Sequence, residues 1–293
     1  RKRSMQHSGI MQKSTISRSK AYRSQCPISV SMKRTRNINE EKSNEKESDN
    51  EQETDSVIYT SYENDINADN ARDIENMLNK WSYLREDGKK IAYLTFDDGP
   101  SVETTPKILE TLRKNNIKAT FFVLGSNVEK SDTQKELLKE MVKEGHAIGN
   151  HGYCHDYSIL YPGRVADTTV FINDMEKSEN VMKSVLGDSF STKVIRFPGG
   201  HMSWKTGDLD KVLEQDGYTY IDWNVLNGDA ESNGRTVEQL INRLKETVTD
   251  LAGNDDVLVI LMHDTDAKVT TAESLQQSID YLKSLGYEFR TLK

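Results

Sequence analysis

The chain has 293 residues, 29% of them charged, and a formal charge of −8. Ten lysines and arginines fall between residues 1 and 39 with no acid among them; taking that +10 from the total leaves the other 254 residues at −18, which argues against nucleic acid as a substrate. Cys26 and Cys154 alone cannot make a disulfide framework, and no run of about 18 apolar residues exists to cross a bilayer as a helix.

Residues 1–60 are rich in Ser, Asn, Lys, Arg and Glu, and nearly every residue from Glu40 to Asp55 is polar. Such a segment cannot bury enough apolar surface to offset chain entropy, so it reads as a low-complexity tail or linker. The chain opens on Arg1 rather than Met, which points to an upstream signal or anchor and an exported, envelope-facing protein. Within 61–84, Ala71, Ile74, Met77, Leu78 and Trp81 recur at helical spacing, predicting a short amphipathic lead-in helix over 68–81. From Lys90 onward, strand-like apolar runs stand at 91–96, 119–124, 146–150, 194–197, 219–223, 257–262 and 287–292. Helical patterns separate them at 105–115, 133–144, 166–186, 236–251 and 272–285. The strands are continuously apolar rather than alternating, as expected of a parallel sheet covered by helices. The expectation is one α/β domain over 85–293.

The residues with chemical potential cluster at strand ends. Ile91–Phe96 runs into Asp97, Asp98 and a Gly-Pro turn. Neighbouring strand residues point to opposite faces, but a glycine after the strand lets the backbone turn both acids toward one site. Two carboxylates there are costly to desolvate unless a cation or hydrogen-bond donors face them; an ordinary Asp-Gly turn is the alternative. His151, His155 and His263 each stand just after a predicted strand. On a helical turn, positions 151 and 155 would share a face and could share one metal; two surface histidines would be the plainer outcome. Adding Asp98 makes an Asp-His-His set with a position left for water, which suits one catalytic divalent ion, zinc first, with cobalt, iron or nickel also compatible. Cys154 projects differently from His155 and is expected to pack rather than bind. Arg196 could orient Asp97, or simply be a surface arginine before a turn. Pro198-Gly199-Gly200 would let backbone N–H groups approach a ligand closely, as in an oxyanion hole. Trp223 reads most simply as core, Asp229 as an orienting partner for a histidine, and His263 as a general acid near neutral pH.

In order, Thr95–Pro100, His151…His155, Arg196–Gly200, Asp222-Trp223…Asp229 and Leu261-Met262-His263 resemble the five motifs of the NodB-type polysaccharide deacetylases, carbohydrate esterase family 4, over about residues 88–293. The resemblance implies a distorted (β/α)7 barrel and metal-dependent removal of N-acetyl or O-acetyl groups from polysaccharides. It implies Asp97 as the base, Asp98, His151 and His155 as metal ligands, and His263 as the acid. Arg196 would tether Asp97, Asp229 would tune His263, and Trp223 and Leu261 would wall the acetyl pocket. The substrate it suggests is an N-acetylglucosamine polysaccharide, cell-wall peptidoglycan foremost, with a monomer as the expected state. An acetyl-xylan or other O-acetyl esterase is the alternative within the family. A saccharide- or metal-binding module without turnover is the alternative of another class. Three positions depart from the motifs. Gly152 replaces a Ser or Thr, with the expected loss of a hydrogen bond behind the metal; Asp156 replaces a Pro and could offer an acceptor to a ligand; Gly199 replaces an aromatic, with a more open groove expected beside it.

Overall fold

A computed structural model describes residues 58–250 and 255–293, so residues 1–57 of the tail expected over 1–60 lie outside the described residues. The strands among them are β1 (Ala68–Asp69), β2 (Ile91–Asp97), β3 (Thr120–Val123), β4 (Ala147–Asn150), β5 (Val194–Ile195), β6 (Thr219–Tyr220), β7 (Val225–Leu226), β8 (Val257–His263), β9 (Glu288–Phe289) and β10 (Thr291–Leu292). Seven make a curled sheet in the order β6-β5-β4-β3-β2-β8-β7, with β9 on β2 as the eighth. Every pairing in it is parallel. Among the described residues no pairing joins β6 to β7, so the expected barrel is open at that seam.

The period of two sorts β2 between two apolar clusters. Ala92, Leu94 and Phe96 face the covering helices, packing with Ile108 and Leu112 of the helix Thr104–Asn115 and with Leu275 and Ile279 of Val269–Ser284. Ile91 and Tyr93 face the interior, with Val257 and Val259 of β8. Thr95 and Asp97 continue that inner row, and so do Leu261 and His263 on β8. The register then decides what meets at the rim: β2 pairs with β8 from Ile91↔Val257 to Asp97↔His263, and Asp97 stands beside Phe122 on its other side. The same alignment continues through Val123↔Asn150 and Asn150↔Ile195, which brings His151 and Arg196 to the same end of the sheet.

The opposite end is closed by the helix Ala71–Lys80. Its Ala71, Ile74 and Leu78 pack on Ile91, Val257 and Leu292, and the Asn70 side chain caps it by accepting from the Arg72 amide at 2.9 Å. Tyr59, inside the stretch expected to be tail, packs its ring 5.0 Å from Phe190 and bonds both the amide and the carbonyl of Ile148, so the packed body begins before residue 61. The strand expected over 287–292 divides in two: β9 lies on β2, while β10 pairs with β1. Arg290, between them, donates to the carbonyls of Ile66 and Ala68. The two residues of β7 and the helix Leu209–Gln215 are too short for a periodic pattern to reveal.

Candidate active site

Asp97 ends β2, 2% exposed, and Arg196, fully buried, meets it directly. The guanidinium donates from Nη1 to Asp97 Oδ1 and Thr95 Oγ1, each at 2.7 Å, and from Nε to the Ile221 carbonyl at 2.7 Å. Its plane lies 4.1 Å over the Phe122 ring. That ring in turn lies where a side chain on Gly149 would stand, 2.4 Å from an ideal Cβ. A buried ion pair repays its desolvation only when its donors are satisfied, and these are. The arginine is therefore an interior fixture rather than a surface residue.

Asp98 adopts φ +72, which turns its carboxylate away from the strand direction. Its Oδ1 lies 3.3 Å from His151 Nε2 and 3.4 Å from His155 Nε2, and these ligand atoms all fall within 4.8 Å of one another. His151 Nδ1 faces the Arg196 carbonyl at 2.8 Å. A carbonyl only accepts, so Nδ1 carries a hydrogen and Nε2 is the ring nitrogen left facing Asp98. Asp98 Oδ1 is buried and has no hydrogen-bond partner. An orphaned carboxylate oxygen between two imidazole nitrogens fits a divalent cation. Burial pushes the Asp98 carboxyl up, but His155 and His151 outweigh it and hold it well below the ordinary range.

The two histidines do not share a helical turn. His151 leaves the end of β4, and the chain reverses through Gly152 at φ +84 and His155 at φ +49. Asp174, 3% exposed on the helix Thr168–Leu186, holds this loop by accepting from the amides of Tyr153 (2.8 Å) and Cys154 (3.1 Å). Asn150 adds a bond from the Gly152 amide at 2.9 Å. A Cβ at Gly152, on a backbone at φ +84, would lie 2.4 Å from Asp174 Oδ2, so a serine or threonine there would be strained and would displace Asp174. The space a side chain there would take is held by Asp174, which binds the loop through its amides. Asp156 accepts from the Ser158 amide and hydroxyl, at 2.8 and 2.6 Å, and caps the turn Tyr157–Leu160 rather than reaching for a ligand. Gly199 is not beside open space either: a Cβ there would meet Trp204 at 3.1 Å and the Tyr157 hydroxyl at 3.2 Å.

On the neighbouring strand, His263 ends β8 with Nδ1 2.8 Å from Asp229 Oδ1. Asp229 Oδ2 accepts from the His263 amide and from Thr271 Oγ1, both at 2.8 Å. Burial pulls the His263 imidazole down, but Asp229, joined by Asp98 and Asp97, outweighs it and the group rises to about 9, protonated near neutral pH with Nε2 left for a reacting partner. Leu261 lies two residues below it on the inner face, 6% exposed. Trp223 is half-buried rather than core, its ring 2.7 Å from where a Cβ on Gly200 would be. Asp264, fully buried, was not anticipated. Its carboxylate lies 2.1 Å from an ideal Cβ on Gly99, so a side chain there would have to displace it, and it accepts from Thr105 Oγ1 at 2.7 Å. Thr95, Thr271 and Asp174 carried no separate signal, since a buried threonine or aspartate is visible only once its partner is placed. Ten residues singled out in the sequence thus converge on one rim, which offers a carboxylate fixed by an arginine, a three-ligand cation site and a histidine fixed by a carboxylate.

Residues 85–221 match the family model for polysaccharide deacetylase. A peptidoglycan-N-acetylglucosamine deacetylase of Bacillus cereus is 32% identical over 214 residues, 72% of this chain and 73% of that protein. Among solved structures, a CE4 esterase of Streptococcus mutans is 38% identical with a TM-score of 0.70, over 77% of this chain and 92% of that one. A polysaccharide deacetylase of Bacillus cereus is 30% identical with a TM-score of 0.60, over 69% and 92%. This chain belongs to the polysaccharide deacetylase family.

Proposed function

We propose that the chain is a metal-dependent hydrolase that removes N-acetyl groups from N-acetylglucosamine in a cell-wall polysaccharide, peptidoglycan foremost, on the outer side of the cell. The observation that carries this reading is a pair of devices on one rim: Asp97 tethered by Arg196 and His263 tethered by Asp229, at the same strand ends that gather Asp98, His151 and His155. A non-catalytic binding site would have no use for both a fixed base and a fixed acid. The B. cereus deacetylase supports the choice of glycan.

Asp98, His151 and His155 would hold one divalent ion, zinc first, with cobalt, iron or nickel also suited to one carboxylate and two imidazoles. When bound, such an ion supplies Lewis acidity toward the acetyl carbonyl and makes water a better nucleophile. Asp97 then takes the proton from the attacking water, and Arg196 keeps the receiving oxygen aimed. The Gly199 amide donates to the carbonyl oxygen as it gains charge. His263 Nε2 gives its proton to the departing sugar nitrogen, and Asp229 stabilises the imidazolium until it does. Leu261 and Trp223 wall the space for the acetyl methyl.

The test is acetate release, read together with free amines, from N-acetylated chitooligosaccharide, peptidoglycan and acetyl-xylan, with and without chelator. Acetate with equimolar amines, abolished by chelator and restored by metal, is expected. Acetate without amines would mean an O-acetyl esterase, and saccharide binding without acetate a binding module.

A further inference from the structure

Position 199 lacks a side chain, and the space is filled from elsewhere in the chain. An ideal Cβ on Gly199 would stand 3.2 Å from Tyr157 Oη, 3.3 Å from Tyr157 Cζ and 3.1 Å from Trp204 Cζ2. The tip of the Tyr157 ring therefore sits beside the backbone of Gly199. The ring is held on several sides. It lies 5.2 Å from the His155 ring, 5.1 Å from Trp204 and 6.3 Å from Tyr161, while Tyr161 and Trp204 stack on each other at 4.1 Å. Asp156 caps the turn that starts at Tyr157, so the position that departs from the motif also sets where this ring begins.

The hydroxyl at the end of this rigid ring is idle. Tyr59, Tyr93 and Tyr287 spend theirs on Ile148, Asp69 and the Asp255 carbonyl, while Tyr161 Oη, buried in the same cluster, also has no partner among the described residues but has no amide of position 199 beside it. Among the described residues Tyr157 Oη makes no such bond, and neither does the Gly199 amide beside it. A ring wedged among aromatics for packing alone would serve as well without oxygen; a phenol placed next to an unpaired amide, against a metal-ligand histidine, has a donor to offer.

We propose that the Tyr157 hydroxyl, standing in the space a side chain at position 199 would fill, is a second hydrogen-bond donor to the acetyl oxygen as that oxygen gains charge. This rests on the deacetylase reading above. The donor adds to the Gly199 amide, and the enzyme recovers through residue 157 an aromatic that it lacks at 199. A donor aimed at the developing oxyanion acts on the transition state more than on bound substrate, so its loss falls on kcat rather than KM.

Tyr157→Phe keeps every ring contact and removes only the hydroxyl. With N-acetylated chitooligosaccharide and saturating metal, kcat is expected to fall about 10- to 100-fold, with KM within about threefold and metal affinity unchanged. A phosphonamidate analogue of the acetamide, titrated by calorimetry, should lose affinity in step with kcat, because it carries the tetrahedral, charged oxygens. Wild-type kcat in Tyr157→Phe overturns the proposal and leaves the deacetylase reading intact. A rise in KM alone also overturns it, making the hydroxyl a contact for the sugar. Weakened metal binding would make Tyr157 a prop for His155 and would likewise overturn it. If the wild-type protein releases no acetate from any acetylated glycan, the deacetylase reading itself fails, and this proposal falls with it.

Discussion

The two imidazoles that face Asp98 are equally close to it and are held by different means. His151 stands at the end of a buried strand: β4 pairs with β3 and β5, and the ring is fixed by one bond to the Arg196 carbonyl. His155 rides a loop with two residues at positive φ, and that loop is pinned chiefly by one carboxylate from the helix Thr168–Leu186, with the Asn150 side chain adding one bond. The first imidazole is thus placed by the whole sheet, the second by a loop that a few side-chain bonds hold. Strand register is set by many cooperating pairings and survives the loss of any one group. A loop held by two charge-assisted bonds does not. Damage to the sheet-held groups should therefore appear as lost chemistry, and damage to the loop-held group as lost geometry.

The largest effect expected under that division separates the adjacent acids of β2. Asp97→Asn leaves Asp98 and both histidines in place, so the protein should still bind metal yet lose roughly 10²- to 10⁴-fold in turnover for want of a base. Asp98→Asn should instead weaken metal affinity, with activity partly regained at high metal concentration, because mass action can offset a lost ligand but not a missing base. Metal titrations of both variants, followed by acetate release, distinguish the two. Rescue of Asp97→Asn and not of Asp98→Asn would reverse the assignments.

The loop is tested through its pin. Asp174→Asn should weaken metal affinity by roughly 10- to 100-fold, the usual range for a group that orients a ligand, with near-wild-type kcat once metal is saturating. Because Asp174 is taken to act through His155, its substitution in a His155→Ala background should cost little more than His155→Ala alone. Additive losses in affinity would show that the carboxylate supports the site by some other route, and the contrast between the two histidines would collapse.

The same division explains what could be read in the sequence. Asp97, Arg196 and His263 follow continuous apolar runs, and a parallel sheet delivers every such run to one rim, so their meeting follows from pattern alone. His155 was expected beside His151 for the wrong reason: spacing of four suggested a helical turn, whereas Gly152 and Asp174 build a left-handed loop that reaches the same result. The departures at positions 152 and 199 looked like losses because a sequence reveals which group is missing from a motif and not which distant group has filled its space. Asp174 and Tyr157 do so here, one 22 residues after Gly152 and the other 42 before Gly199. Short elements escaped for a plainer reason: two residues of β7 and seven of Leu209–Gln215 hold too few positions to show a period.

The smallest effects sit at the acid, where two substitutions on one network should move the pH profile in opposite directions. His263 carries its proton below about 9, so the alkaline limb of kcat is set by that group, and activity is lost as pH rises through it. Asp229→Asn removes the charge that raises it most. The limb should then retreat toward the ordinary imidazole value near ~6.5, costing about tenfold or more at pH 8 while sparing acidic pH. Thr271→Val keeps the buried volume and removes one of the donors to Asp229 Oδ2. A carboxylate with fewer donors is a stronger acceptor toward His263 Nδ1, so the limb should move up by a fraction of a unit rather than down. Full pH–rate profiles of the three proteins are the measurement. A downward shift in Thr271→Val would mean that the hydroxyl acts chiefly by keeping Asp229 aligned, so that alignment, more than charge, holds the proton on His263.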